Sequence, residues 1–220
     1  MEPFTKATGI VAPMDRANVD TDQIIPAVFL KSIERNGFGP NLFYNWRFLP
    51  DGSPNPDFVL NASQYQGASV LVTGRNFGCG SSREHAVWAL RDYGFRAVIS
   101  TSFAEIFHKN SLENGLVPAL LPEESISDIM LKAQTLPDYQ ITVDLERCEV
   151  SDTYGLTTPF VIHPDPKAHE FRRYNILNGL DECSCTNVCD TFADCADSEA
   201  CTLTPGIDDF LCIPIGEDCT

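Results

Sequence analysis

Apolar residues in the middle of the chain fall into short unbroken runs set off by polar, glycine-marked stops. Ser69–Thr73 (SVLVT) is such a run and predicts a buried strand, and Ala97–Ser100 predicts the next. Between them lie a glycine-rich loop, Gly74–Gly80, and a helical spacing from Ser81 to about Tyr93. Strand, helix and strand within about thirty residues form a βαβ unit and imply a parallel pair in an open sheet. The alternation continues with a helix over Phe103–Glu113 stopped at Asn114-Gly115, a strand over Leu116–Leu121 and a helix over Ser125–Gln134. Ile141–Asp144 alternates as a half-exposed strand, and Phe160–Ile162 suggests a further one. Pro166 opens a last helix that runs to about Leu177 and closes at Asn178-Gly179. The first sixty residues are turn-rich, with Leu49–Pro56 (LPDGSPNP) a loop. The expected class is α/β, with the β-rich pieces at its two ends.

Composition leaves that picture intact for most of the chain and changes it at the end. The 220 residues are 43% hydrophobic and 21% charged, ordinary values for a globular protein. No run approaches the roughly 18 apolar residues of a membrane span. The segment Met1–Gly9 is mixed and polar, without the apolar core of a secretory signal, so a cytoplasmic protein is expected. A net charge of −16 disfavours nucleic acid and anionic membranes as partners. Half of that charge lies in residues 183–220, where eight acidic residues meet no Lys or Arg. The same segment holds Cys183, Cys185, Cys189, Cys195, Cys201, Cys212 and Cys219, whereas residues 1–182 hold only Cys79 and Cys148. Read alone, the tail is a disulfide-rich module or a metal-binding segment, while the body has cytosolic cysteine usage. Two domains are expected: a body over 1–182 and an irregular, acidic, Cys-rich tail over 183–220. The abrupt break favours a fused segment over a natural extension or a metal-binding appendage.

Chemistry concentrates in Gly74-Arg75-Asn76-Phe77-Gly78-Cys79-Gly80-Ser81-Ser82-Arg83-Glu84-His85-Ala86. Glycines let a backbone approach a ligand and adopt positive φ. Ser81 followed by Glu84 fits a capping box, which makes Ser81 the expected N-cap. The free N–H groups of such a helix start favour anions, and Arg83 adds a planar fork suited to a carboxylate. The spacing is neither the dinucleotide fingerprint nor the phosphate loop. On physical grounds alone an anion site and a plain structural cap are about equally supported. Cys79 beside His85 could be a nucleophile, although a small residue fitting a tight loop is the stronger reading. His85, His108, His163 and His169 have no metal-ligand spacing and read as structural or surface residues.

The run Asn76–Ala86 resembles the signature of small subunits in the aconitase superfamily. Asp20-Thr21-Asp22-Gln23-Ile24-Ile25-Pro26 agrees with it, as do Arg35–Gly39 with Leu42-Phe43 and Trp46-Arg47, and Glu113–Pro118. In combination and order they resemble the isopropylmalate isomerase small-subunit family of bacteria, from about Thr5 to Glu182. The resemblance implies a swivelling β/β/α domain that closes over a large subunit bearing a [4Fe–4S] cluster, one iron of which polarises the substrate hydroxyl. It implies Ser81 as the base, Ser82 and Arg83 as holders of a substrate carboxylate, and Asp22 at the site edge. It also implies a small dicarboxylate substrate and dehydration of 2-isopropylmalate followed by rehydration. No cofactor is expected on this chain, since Cys79 and Cys148 cannot hold a cubic cluster.

By the same resemblance, the stretch after Pro26 lines the pocket for the variable substituent. Apolar Leu30 and Ile33 suit an isopropyl group, each buried methylene contributing about 0.8 kcal/mol. Lys31 complicates this, either as a cation for a further carboxylate or as a lysine with its head in water. Small subunits of homoaconitase, citramalate or dimethylmalate hydro-lyases are therefore alternatives. A non-catalytic binder of the same fold is a third, opposed by the joint presence of Asp22, Ser81, Ser82 and Arg83.

Overall fold

The computed structural model describes residues 3–30, 36–164, 176–177, 201–202 and 211–212. The chain divides into two compact units, Met1–Leu180 and Asp181–Thr220.

The first unit is built on one seven-stranded sheet of order β4-β3-β2-β1-β5-β6-β7. Its strands are β1 (Lys6–Met14), β2 (Val70–Thr73), β3 (Ala97–Ser100), β4 (Val117–Leu120), β5 (Gln140–Asp144), β6 (Glu149–Ser151) and β7 (Thr157–Pro159). The first four run parallel, and β5, β6 and β7 continue antiparallel from the other edge of β1. β1 is shared along its length: Lys6–Ile10 pair with β5, and Val11–Met14 pair with β2. The sheet curls until Val161, just beyond β7, bridges antiparallel to Leu120 of β4. The expected strand over Phe160–Ile162 is thus replaced by β7 and that single bridge.

Helices α3 (Glu84–Tyr93), α4 (Glu105–Glu113) and α5 (Glu123–Thr135) follow β2, β3 and β4, within a few residues of the expected bounds. Both faces of the parallel strands are covered, which explains their continuous apolar runs. Val11, Val70, Val72, Ala97 and Ile99 face one core together with Ile126, Ile129 and Met130 of α5. Ala12, Met14, Leu71 and Val98 face a second core with Val87 and Leu90 of α3, Phe107 of α4 and residues from the turn-rich segment. That segment holds two one-turn helices, α1 (Thr21–Ile24) and α2 (Tyr44–Arg47), and several 3-10 turns.

In the second unit β8 (Cys201–Thr202) and β9 (Leu211–Cys212) pair antiparallel. Most of the expected helix from Pro166 lies outside the described residues, and Ile176–Leu177 are helical. Lys31, Ile33 and the side chains of the tail cysteines also lie outside them. No helix among the described residues is long and apolar enough to cross a membrane.

Candidate active site

The parallel strands β1, β2 and β3 send three loops off their carboxyl ends, where ligands bind in open α/β sheets. Those loops are stitched to one another by backbone bonds. Val19 accepts from the amides of Gly78 (2.8 Å) and Cys79 (3.1 Å), and Thr21 donates its amide to the Cys79 carbonyl at 2.8 Å. On the other side the Phe77 amide reaches the Ser102 carbonyl at 3.2 Å, and the Ala104 amide reaches the Phe77 carbonyl at 3.0 Å. The 74–83 loop is therefore held like a short extra strand between its neighbours, with bridges Asp20↔Cys79 and Phe77↔Phe103.

Two glycines make this close packing feasible. A Cβ on Gly78 would fall 2.1 Å from Cγ of Phe107, and one on Gly80 would fall 2.1 Å from Oδ2 of Asp20. Both have positive φ, +78° and +93°, a region that side chains disfavour. The Asp20 carboxylate under Gly80 accepts from the Asp22 amide at 2.7 Å, while the Gln23 side chain takes the Asp20 amide at 2.9 Å. The capping box in this region thus belongs to α1, with Asp20 as its N-cap.

Ser81 is not the N-cap of α3. That position is Arg83, in an extended conformation (φ −140°, ψ 104°) and without a side-chain cap. The reason lies in contacts with residues distant in the chain. Gly80 turns the chain, the Thr21 hydroxyl takes the Ser81 carbonyl at 2.8 Å, and helical geometry begins only at Glu84. Glu84 does not reach back but accepts from Nδ2 of Asn114 at 2.9 Å. Asn114 also accepts from Nε1 of Trp88 at 3.0 Å, and so ties the start of α3 to the end of α4. Arg83 is accordingly the residue before the helix rather than its first turn.

The structure brings Asp22, Ser81 and Arg83 to one place. Ser81 and Ser82 are exposed, and the mostly buried Arg83 guanidinium pairs with the half-exposed Asp22 carboxylate. Leu30 ends a 3-10 turn over Ala27–Phe29 and packs, half-buried, against the second core. Cys79 is half-buried, and burial, with Asp20 nearby, pushes its thiol pKa up. A thiol held protonated is a poor nucleophile. His85 lies edge-on to Phe38 (centroids 5.2 Å apart) and against Trp88 (4.6 Å), an aromatic packing role. Sequence reasoning missed Asp20, Thr21 and Asn114 as builders of the site. Asp20–Gln23 already carries the Asp-x-x-Gln spacing of a cap.

The cysteines of the first unit, Cys79 and Cys148, sit in separate loops, after β2 and between β5 and β6. Two thiols in separate loops do not supply the full cysteine set of an iron–sulfur cluster.

Comparison with known proteins supplies the wider context. Residues 1–124 match the model of the aconitase C-terminal domain, and residues 128–164 match LeuD_N. A 3-isopropylmalate dehydratase small subunit of Brevibacillus brevis is 52% identical over 186 residues, covering 84% of this chain and 93% of that one. Its counterpart from Hahella chejuensis is 53% identical over 195 residues, covering 84% and 88%. The crystal structure of 3-isopropylmalate dehydratase (leuD) from Methanocaldococcus jannaschii is similar at a TM-score of 0.56 and 26% identity, covering 79% of this chain and 88% of that one.

Proposed function

The chain belongs to the family of 3-isopropylmalate dehydratase small subunits, and on that premise we propose how its residues serve the isomerisation of 2-isopropylmalate to 3-isopropylmalate. The observation that supports the reading most is the convergence of Asp22, Ser81 and Arg83 on a clamped loop at the carboxyl ends of the parallel strands.

Ser81, as an alkoxide, takes the proton from the carbon beside a carboxylate. The electron pair of that C–H bond becomes the C=C bond, and hydroxide leaves the neighbouring carbon. In the second half the Ser81 proton goes to the carbon that lost hydroxide, hydroxide adds at the other, and Ser81 is left as the alkoxide again. The positive end of the α3 dipole and the Arg83 cation lower the cost of negative charge at Ser81. Arg83 and Ser82 hold a substrate carboxylate. Asp22 keeps the guanidinium oriented until the substrate arrives. Leu30 and Ile33 are assigned to the isopropyl group by the family resemblance. The [4Fe–4S] cluster is assigned to a separate large subunit, a reading that the small-subunit naming of the relatives supports. The working enzyme is a cytoplasmic heteromer.

Anaerobic co-expression with a bacterial large subunit, followed by isopropylmaleate absorbance, tests this. Turnover is expected only with both chains, and Ser81→Ala should lower kcat by about 10²–10⁴-fold, the usual contribution of a general base. Undiminished turnover in Ser81→Ala refutes the base assignment. Faster turnover of citramalate or dimethylmalate than of 2-isopropylmalate refutes the substrate.

A further inference from the structure

Thr21 lies sixty positions before Ser81 in the chain, is 2% exposed, and uses its hydroxyl to donate to the Ser81 carbonyl at 2.8 Å. Its own amide is bonded to the Cys79 carbonyl at 2.8 Å. A buried threonine can satisfy its hydroxyl on its own helix, yet this one reaches across to the loop that carries the proposed base. We propose that Thr21 is a positioning residue for the reaction, setting the backbone of Ser81 and Ser82 so that the proton-accepting oxygen and the following amide face the substrate. The inference rests on the reading of Ser81 as the base.

The argument is geometric. A trans peptide is planar, so the carbonyl of Ser81 and the N–H of Ser82 point in opposite directions. Pinning that carbonyl onto buried Thr21 turns the Ser82 N–H away from the interior, toward the exposed side where both serines lie. Gly80, at φ +93°, allows the turn that brings the carbonyl inward. Among the described residues nothing else is seen to fix this peptide from the interior: Ser81 does not cap α3, and α3 starts two residues beyond Ser82. Without the Thr21 hydroxyl the peptide is free to rotate, and the base then samples directions that miss the proton. Misplacement of a reacting group by about an ångström costs up to about a hundredfold in rate.

The test uses the assembled heteromer with 2-isopropylmalate. Thr21→Val fills the same space without the hydroxyl, and Thr21→Ser restores it. We expect kcat to fall about tenfold or more in Thr21→Val with KM changed less than about twofold, and Thr21→Ser to regain most of the loss. A Thr21→Val enzyme with wild-type kcat overturns the inference, as does a Thr21→Ser enzyme as slow as Thr21→Val. A rise in KM alone also overturns it. Should Thr21→Val yield no soluble subunit, the pair Thr21→Ala and Thr21→Ser isolates the hydroxyl by the same criteria. Ser81→Ala is run in parallel: if it keeps turnover, the base assignment itself fails, and if it is inactive while Thr21→Val is not, only the role of Thr21 fails.

Discussion

Replacing Gly80 by alanine separates backbone strain from close packing, because a second glycine supplies the control. Gly80 (φ +93°) and Gly155 (φ +97°) have nearly the same conformation. An alanine at either is strained by about 1–2 kcal/mol. A Cβ at Gly155 meets nothing within 4 Å, whereas at Gly80 it falls 2.1 Å from Oδ2 and 2.5 Å from Cγ of Asp20. The Asp20 carboxylate must then move, which breaks its bond from the Asp22 amide and removes the cap of α1, a loss of about 1 kcal/mol or more. The expected totals are about 3 kcal/mol for Gly80→Ala and about 1–2 kcal/mol for Gly155→Ala. For a chain of this size each kcal/mol lowers Tm by about 2–4 °C, so thermal unfolding should fall by about 6–12 °C and about 2–8 °C. In the assembled enzyme only Gly80→Ala should also lower kcat, since Ser81 is the next residue. Equal Tm losses in the two variants would refute the packing argument. A Gly80→Ala enzyme with normal kcat would show that the turn does not aim the serine.

Two further predictions concern charge. Asp152, whose side chain is fully buried, accepts from Tyr139 (2.7 Å), Lys132 (2.9 Å) and the amides of Tyr154 and Leu156. Burial alone would raise its pKa, but those hydrogen bonds outweigh it and hold the carboxyl below the ordinary range. Its stabilisation is therefore complete above the unfolded carboxyl value of about 3.9 and is lost as pH falls through the lower folded value. Urea midpoints between about pH 2 and 6 should fall on acidification, and Asp152→Asn should flatten part of that slope; an unchanged slope would be the contrary result. Asp152→Ala, which strands the partners, should cost roughly 3 kcal/mol at neutral pH. Cys79→Ala should keep turnover, and the Cys79 peptide should alkylate more slowly than a free thiol at pH 7.5, read by mass spectrometry. Loss of activity in a folded Cys79→Ala chain would restore the cysteine as a nucleophile.

The parts of the fold legible in the chain were those in which one physical signal dominates. β2 and β3 are buried on both faces and so read as unbroken apolar runs, and α4 stops where Asn114-Gly115 says it should. β1 was illegible because Gly9 and Pro13 both argue against a strand. The structure accommodates each for a local reason. Gly9 lies where a Cβ would strike Oγ of Ser69 at 1.8 Å. The carbonyls of Ile10 and Arg16 face β2, so by the two-residue period Pro13 faces the other way, with Val11, whose amide reaches Tyr139. Pairing with β5 has already ended there, at Ile10↔Gln140, so the missing N–H of Pro13 leaves no ladder bond unmade. β6, only three residues long, depends on neighbours that no local pattern announces.

The site was legible in its place and misread in its wiring, and the misreading bears on function. Ser-x-x-Glu is a sound local signal for a cap, but it competes with contacts from distant residues, and here Thr21 and Asn114 prevail. A serine acting as N-cap has its oxygen committed to a backbone N–H of the first turn. A serine relieved of that duty keeps the oxygen for other chemistry. Asp20 caps α1 instead, Asn114 takes the Glu84 carboxylate, and α3 begins without a side-chain cap. Each of these contacts leaves the Ser81 hydroxyl exposed beside the uncapped, positive end of a ten-residue helix and within the same clamped loop as Arg83. The displaced capping box is therefore what makes the role proposed for Ser81 physically workable in this chain.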